Sequence, residues 1–272
     1  MKRLVQAPLI LILLFLALGA GAAPARAQSP DDQRFILNFI EDAAVVEDLW
    51  VEGQVRWQDL SKGLDSTRIG PVIAFSPLEG AEVGGRIDIV DTDFNPSSQT
   101  GLGDTTLFGK WQFIHNPIQF TIGAELFVPT GDEDEGLGTG ELDASVFVAV
   151  RKNLENAYVN GFLGFRSNSD SNIRSGVDNN GNGLPGPTIR RDGKTSVFLG
   201  AGAMFPASAH FSFSLELSVE TERFERGDSA VEVMAGGYWF PGEHFSLRAG
   251  LGVGLDDGAP DWESVFGAAW HY

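Results

Sequence analysis

One loop of the sequence carries a pattern of oxygen ligands suited to a calcium ion. The segment Asp178–Gly183 matches the start of a calcium-binding loop, in which side-chain oxygens at every second residue surround a hard cation. The ligands would be Asp178, Asn180 and Asn182. Because the twelfth position is Ile189 instead of a bidentate Glu, the site would be weak. An Asn- and Gly-rich loop without a cation is the alternative.

A second loop, Asp132–Glu135, is acidic. It could bind Ca²⁺ or Mg²⁺ beside the phosphates of lipopolysaccharide, and a solvated acidic loop is the alternative. Gly101–Asp104 and Gly136–Gly140 are rich in glycine but are not phosphate-binding loops, because no helix follows either one to present its N-terminus. We therefore expect no cofactor apart from a loop-bound Ca²⁺ or Mg²⁺.

Catalysis on membrane lipids would require a Ser–His pair near the outer leaflet, where the acyl ester lies. The strands predicted below form a membrane-spanning barrel, and its topology places all four histidines at periplasmic turns or at the inner end of the last strand. These residues are His115, His210, His244 and His271. None of them can serve a nucleophile in the outer leaflet, so we predict that the protein is not an enzyme.

The first residues have the features of an export signal. Lys2 and Arg3 precede the apolar run Leu9–Leu18, which is too short to span a bilayer. Ala25–Ala27 then offers a small-x-small cleavage site. We therefore predict that residues 1–27 are a signal peptide, with an uncleaved anchor as the alternative.

Charge and cysteine content exclude several classes of function. The chain contains 37 acidic and 19 basic residues, three of the basic ones within the predicted signal peptide, so residues 28–272 carry a formal charge of −21. Such a chain is not expected to bind nucleic acid. It contains no cysteine, which excludes disulfides and thiolate metal sites.

Apolar and polar residues alternate with a period of two, as in Phe211–Glu222, which is typical of strands with one apolar and one polar face. Most of the alternating segments have the length of a tilted transmembrane strand, and their number is even, as in bacterial barrels. The twelve predicted strands are residues 50–58, 66–75, 81–90, 103–114, 117–128, 141–151, 156–166, 194–205, 210–222, 229–240, 244–255 and 262–271.

Short and long connections alternate between these strands. The longest predicted loop is Ser167–Gly193, whereas His115 and Asn116 alone connect two strands. Transmembrane barrels show this asymmetry, with short periplasmic turns and longer extracellular loops. We therefore predict that residues 49–272 form an all-β, antiparallel, up-and-down barrel in the outer membrane of a Gram-negative bacterium.

The polar faces of the predicted strands carry many charged residues, which a small soluble barrel could not bury without extensive pairing. We predict that they line the lumen, where opposite charges either pair across the interior and close it or line an open channel. The predicted lumen-lining residues are Arg56, Arg86, Lys110, Glu125, Asp143, Arg151, Arg166, Glu216, Glu220, Glu232 and Arg248.

The two ends of the mature chain have features of their own. Residues 28–48 contain an apolar run followed by acidic residues, and we interpret them as a periplasmic extension that tucks into the barrel or packs below it. A thirteenth strand is the alternative. The chain ends on a strand with the aromatic residue Tyr272, which resembles the terminal signal recognised by the barrel-insertion machinery.

Three short motifs carry a resemblance to a known family. They are Gly101–Asp104, Pro129–Asp132 and Gly136–Gly140, each next to a predicted strand. The arrangement resembles the outer-membrane family named for the meta-pathway of phenol degradation, most strongly over residues 101–166. Members of that family are described as transporters, so the resemblance implies passive uptake of small molecules, including hydrophobic or aromatic compounds. A non-conducting structural or adhesive barrel is the alternative, and with either function we expect outer-membrane lipid and lipopolysaccharide to surround the barrel.

Overall fold

The computed structural model describes residues 33–60, 64–93, 98–114, 118–174, 188–225 and 227–271. Its regular secondary structure is entirely β-strand, and none of these residues forms a helix long and apolar enough to cross a bilayer. The predicted signal peptide, the predicted calcium ligands Asp178, Asn180 and Asn182, and Tyr272 lie outside the described residues.

Sixteen strands follow one another along the chain. They are β1 (Leu49–Asp59), β2 (Asp65–Phe75), β3 (Ala81–Arg86), β4 (Ile89–Asp93), β5 (Ser98–Leu102), β6 (Thr105–Ile114), β7 (Ile118–Val128), β8 (Asp143–Asn153), β9 (Tyr158–Ser167), β10 (Ser171–Arg174), β11 (Thr188–Arg191), β12 (Thr195–Ser208), β13 (Phe211–Glu220), β14 (Ala230–Gly242), β15 (Phe245–Gly254) and β16 (Trp262–His271).

Fourteen of these strands form one antiparallel sheet that closes on itself, because β1 pairs with both β2 and β16. β2 pairs with β3 and then with β4 in the same register, so these two segments are one barrel strand. β5 pairs with β4 and β6 pairs with β3, so β5 and β6 together form the neighbouring barrel strand. β10 and β11 form a separate hairpin. The predicted barrel of twelve strands is therefore confirmed.

Alternation places polar side chains inside and apolar ones outside. On β13, Leu215 is 53% exposed on the outer surface, whereas the next residue, Glu216, is 1% exposed inside the barrel. A one-residue shift would exchange these faces, so the pattern determines the register along each strand. The outer surface is thus apolar, as a lipid-facing barrel wall requires.

One barrel strand is interrupted where β3 meets β4. There the carbonyl of Asp88 accepts the N–H of Gly103, which lies between β5 and β6, at 2.8 Å. The neighbouring position on β2 is Gly70, where a Cβ atom would collide with the Ile87 carbonyl oxygen. The interruption brings the carboxylate of Asp88 to 2.8 Å from Arg86. Residues 91–102 connect two predicted strands, 81–90 and 103–114, but in the structure they largely belong to the hairpin of β4 and β5.

Residues 33–48, which we call the plug, contain no strand, and residues 33–46 lie inside the barrel, whereas Glu47 and Asp48 are exposed. The sequence left open whether this segment enters the barrel, packs below it or adds a strand, and the structure shows the first of these. The plug leads directly into Leu49, which pairs with Phe75 just before the short connection 76–80. It therefore occupies the end of the lumen where the short connections lie.

Candidate functional site

The plug is held by a carboxylate of the barrel wall. Glu216 on β13 accepts the backbone N–H groups of Ile36 at 2.8 Å, Leu37 at 2.8 Å and Asn38 at 3.1 Å. Three successive N–H groups therefore point at one carboxylate, and hydrogen bonds to an ionised acceptor are stronger than neutral ones. The plug has no ladder partner for these groups, so Glu216 takes the place of a neighbouring strand.

Cations of the wall bind the carbonyl groups of the plug. Lys110 Nζ donates to the carbonyl oxygens of Asp42 at 3.0 Å and Ala44 at 2.7 Å. Arg248 donates to the Phe35 carbonyl at 3.1 Å, and Arg151 lies 3.0 Å from the Asp42 carboxylate. The plug is thus fixed by charged groups from several strands, which orient its backbone.

One basic side chain of the plug is buried in an ion pair with the wall. Arg34 forms a two-point ion pair with Glu82 on β3, and both side chains are fully buried. Glu82 also accepts the N–H of Val46 at 2.8 Å and lies 3.5 Å from Lys110. Because Glu82 joins both ends of the plug, its carboxylate is a central element of this contact.

Apolar packing completes the contact around the whole circumference. Phe35 and Ile36 pack in a cluster with residues of β12, β14 and β16, and Phe39 and Val46 pack with residues of β1, β2, β6 and β16. Ala43 packs against β8, β9 and β12, and its carbonyl accepts the hydroxyl of Thr121 on β7 at 2.6 Å. With the polar contacts from β3, β13 and β15, every barrel strand contacts the plug. The plug therefore fills the cross-section of this half of the lumen.

Above the plug, two cavities continue towards the long loops. The inner cavity, of about 390 Å³, is bounded below by plug residues from Ile36 to Glu41. The outer cavity, of about 400 Å³, lies against the loop that contains Leu137. Six residues line both cavities and mark the passage between them. They are Arg68, Arg86, Thr106, Phe127, Arg166 and Arg223.

The loop that borders the outer cavity is tied to the wall by Asp104. Its carboxylate accepts the N–H groups of Gly131 at 3.1 Å and Thr139 at 2.7 Å. Residues 136–139 of the loop line the cavity, and Leu137 is buried. The glycine-rich motifs found in the sequence therefore have a structural role, because they fold this loop over the lumen.

The structure places all eleven predicted lumen residues on inward-facing positions, but in different environments. Four of them contact the plug: Lys110, Arg151, Glu216 and Arg248. Arg248 also lines the inner cavity, and six others line one or both cavities without contacting the plug in this way: Arg56, Arg86, Glu125, Asp143, Arg166 and Glu220. Within the part of the chain that the structure describes, Glu232 neither contacts the plug nor lines a cavity. Most of the cavity residues are paired, as Arg166 is with Glu220 at 3.1 Å.

Sequence reasoning missed several charged residues of the site, among them Arg34, Arg68 and Glu82. Arg68 and Glu82 share the polar face of their predicted strands, so the same alternation could have identified them. Arg34 lies outside any alternating segment, and no sequence signal indicated its burial. Among the described residues, no group of three or more His, Asp or Glu side chains could hold a metal ion, and the acidic run Asp132–Glu135 stays a solvated loop or a cation site by prediction only.

Comparisons with known proteins support the fold. No protein-family model and no curated protein sequence matches the chain. An outer-membrane channel of Pseudomonas putida F1 superposes with a TM-score of 0.61 at 14% identity, over 85% of this chain and 98% of that one. The KdgM porin, solved with disordered oligogalacturonate, gives 0.52 at 9% identity over 82% and 99%. The toluene transporter TbuX of Ralstonia pickettii gives 0.51 at 10% identity over 93% and 96%.

The fold is that of an outer-membrane β-barrel. At these identities the likeness concerns the fold alone, so membership of the phenol-degradation family stays a prediction. The described histidines lie where the sequence placed them, at the plug end: His210 contacts the Phe240 carbonyl at 2.7 Å, and His244 contacts the His271 carbonyl at 3.1 Å.

Proposed function

We propose that this protein is an integral outer-membrane channel for the passive uptake of small molecules, closed on its periplasmic side by the plug. The observation that carries this proposal is the arrangement of the lumen. Two connected cavities lead from the long loops to a segment that contacts every barrel strand. Passage of a solute then requires only that the plug moves, without any change in the barrel.

The contacts of the plug are compatible with such movement. Many of them are hydrogen bonds and ion pairs, and water entering the lumen would replace these when the plug leaves. The fully buried pair of Arg34 and Glu82 would recover its hydration, which offsets much of the lost attraction. The chain contains no cysteine, so no disulfide holds the plug in place.

The lining of the outer cavity suits an apolar solute. Leu60, Leu64, Val90, Phe127 and Leu137 all contribute to it. Ligand sites of a few hundred Å³ with an apolar lining and a few polar groups are typical of small-molecule binding. Hydrophobic or aromatic compounds, which the family resemblance implies, are therefore the proposed substrates.

Recording in a planar bilayer tests this proposal. The full-length protein and a variant lacking residues 33–48 are compared at equal amounts of folded barrel, with heat-modifiable mobility on gels as the control for folding. We expect rare or brief openings of the full-length protein and long openings of the truncated one. If the folded truncated variant passes neither ions nor solutes in liposome swelling, the channel proposal fails and a non-conducting structural barrel is preferred.

A further inference from the structure

The passage between the two cavities is basic, although the chain is strongly acidic. Four arginines and two aspartates line the outer cavity among the described residues. The whole sequence has a formal charge of −18, so this local excess of positive charge is opposite to that of the protein. A narrow cavity with a charged lining concentrates ions of the opposite sign, which here are anions.

Three of these arginines are neutralised by neighbouring carboxylates. Arg86 lies 2.8 Å from Asp88, Arg166 lies 3.1 Å from Glu220, and Arg223 lies 3.6 Å from Asp143. Arg68 differs from them. It lines both cavities, and among the described residues no carboxylate forms an ion pair with its guanidinium, on which Asp88 and Asp104 act only from a greater distance. Its charge is therefore available to a ligand in the passage.

The register of the barrel places a second arginine beside Arg68. Arg68 on β2 lies directly opposite Arg56 on β1, and both side chains point into the lumen. Like charges at directly opposite positions destabilise a sheet. The only ion pair of Arg56 among the described residues is a long one, 3.8 Å to Glu263. An anion bound between the two guanidinium groups would remove the repulsion.

We propose that the passage binds the carboxylate of a small organic acid with an apolar or aromatic body, held by Arg68 and Arg56. Guanidinium groups present parallel N–H donors that match the two oxygens of a carboxylate. The apolar body of the acid would lie in the outer cavity, where Val90 is the register partner of Arg68 and Phe127 lies nearby. The apolar lining favours this class over inorganic anions and sugar acids.

The inference names the substrate class of the proposed channel, but its test is a binding measurement that needs no conductance. Benzoate and neutral benzyl alcohol are titrated calorimetrically into the full-length barrel folded in detergent. We expect benzoate to bind about tenfold or more tightly than benzyl alcohol, because charge-assisted hydrogen bonds supply the difference. Equal affinities would overturn the proposal.

Two substitutions locate the site. Arg68→Gln should abolish the preference for benzoate, and Arg68→Lys should retain part of it, because Lys keeps the charge without the fork of donors. The control is Arg190→Gln, which removes the same charge from an exposed pair with Asp170 outside the cavities. A preference for benzoate that survives Arg68→Gln, or that Arg190→Gln removes equally, would overturn the assignment.

Competition defines the chemical class and separates the two proposals. Chloride or phosphate that displaces benzoate at concentrations similar to its own would overturn the organic-acid class, since the apolar body would then contribute nothing. Binding of benzoate by a barrel that never conducts would refute the channel while leaving the anion site intact. A conducting barrel without preference for benzoate would refute the anion site alone.

Discussion

The carboxylate of Glu216 lies 2.8 Å from the backbone nitrogen of Ile36, 180 positions earlier in the chain. This contact joins the barrel wall to the plug, and two further N–H groups of the plug share the same carboxylate. Glu216 therefore contributes more hydrogen bonds to the backbone of the plug than a single wall residue usually could. Its substitution should open the channel without unfolding the barrel.

Replacement of Glu216 by Ala should weaken docking of the plug. Each hydrogen bond to a charged group contributes about 1.5–3 kcal/mol, and about 1.4 kcal/mol corresponds to a factor of ten in an equilibrium. We expect the open probability in single-channel recordings to rise at least tenfold. Glu222→Ala, which removes a carboxylate from an exposed pair with Lys194, is the control and should have no effect. An unchanged open probability for Glu216→Ala would contradict this role.

The pair of Arg34 and Glu82 should show strong coupling. Breaking a buried ion pair costs about 3–5 kcal/mol because it leaves an uncompensated charge. Glu82→Gln should loosen the plug more than Arg34→Met, since Glu82 also binds the N–H of Val46 and faces Lys110. The double variant should lose less free energy of plug docking than the two single variants lose together.

Accessibility of the plug provides the measurement for this cycle. Ala43→Cys introduces a single thiol into a chain that has none, and its rate of modification by a soluble maleimide reports how often the plug leaves the wall. Each single variant should raise the rate, and the double variant should raise it less than their product predicts. Strictly independent effects would mean that the two side chains do not act as a pair.

Asp104 should control the width of the outer cavity. Asp104→Ala removes the acceptor for the N–H groups of Gly131 and Thr139, so the loop over the lumen should loosen. In the background that lacks residues 33–48, we expect higher conductance and uptake of larger solutes in liposome swelling. Asp134→Ala, an exposed position of the same loop, is the control. Identical solute limits for both variants would exclude the loop as a constriction.

An arginine on the outer face should destabilise the barrel by an amount that depends on its depth in the membrane. Leu215 is exposed in the middle of β13, and Leu215→Arg should destabilise the barrel by about 2–4 kcal/mol if it lies near the midplane. Leu154 is similarly exposed but lies in a connection between strands, where Arg should cost about 0–1 kcal/mol. Urea unfolding in lipid vesicles measures both values. Equal costs would show that Leu215 does not face hydrocarbon.

The barrel could be predicted from the sequence because one physical constraint acts on every strand. A strand between lipid and a polar lumen must alternate, as Leu215 and Glu216 do, and the predicted strands agree with the structure to within a few residues. The break at Asp88 was not predicted, since it depends on the close approach of Gly70 on another strand. Alternation reports which face a residue occupies, but not what it contacts there.

The plug shows the limit of such reasoning. Arg34 is fully buried because Glu82, 48 positions later, happens to lie inside the barrel at the same height. Lys110 and Glu125 are both predicted to line the lumen, and in the structure Lys110 binds the plug at Asp42 and Ala44. A polar wall position can serve a solute, another wall residue or a segment of the same chain, and local sequence does not distinguish among these.

Movement of the plug should open the lumen, and a reversible covalent lock between the plug and the wall tests this. The hydroxyl of Thr121 reaches the Ala43 carbonyl at 2.6 Å, so these two neighbouring positions are the ones at which the cysteines of the lock are placed. Bilayer recordings compare the oxidised and reduced double variant, with each single variant as a control and the cross-link verified by gel mobility. We expect the oxidised double variant to be silent and the same variant to show openings after reduction. Equal conductance in both states, with the cross-link formed, would contradict this expectation.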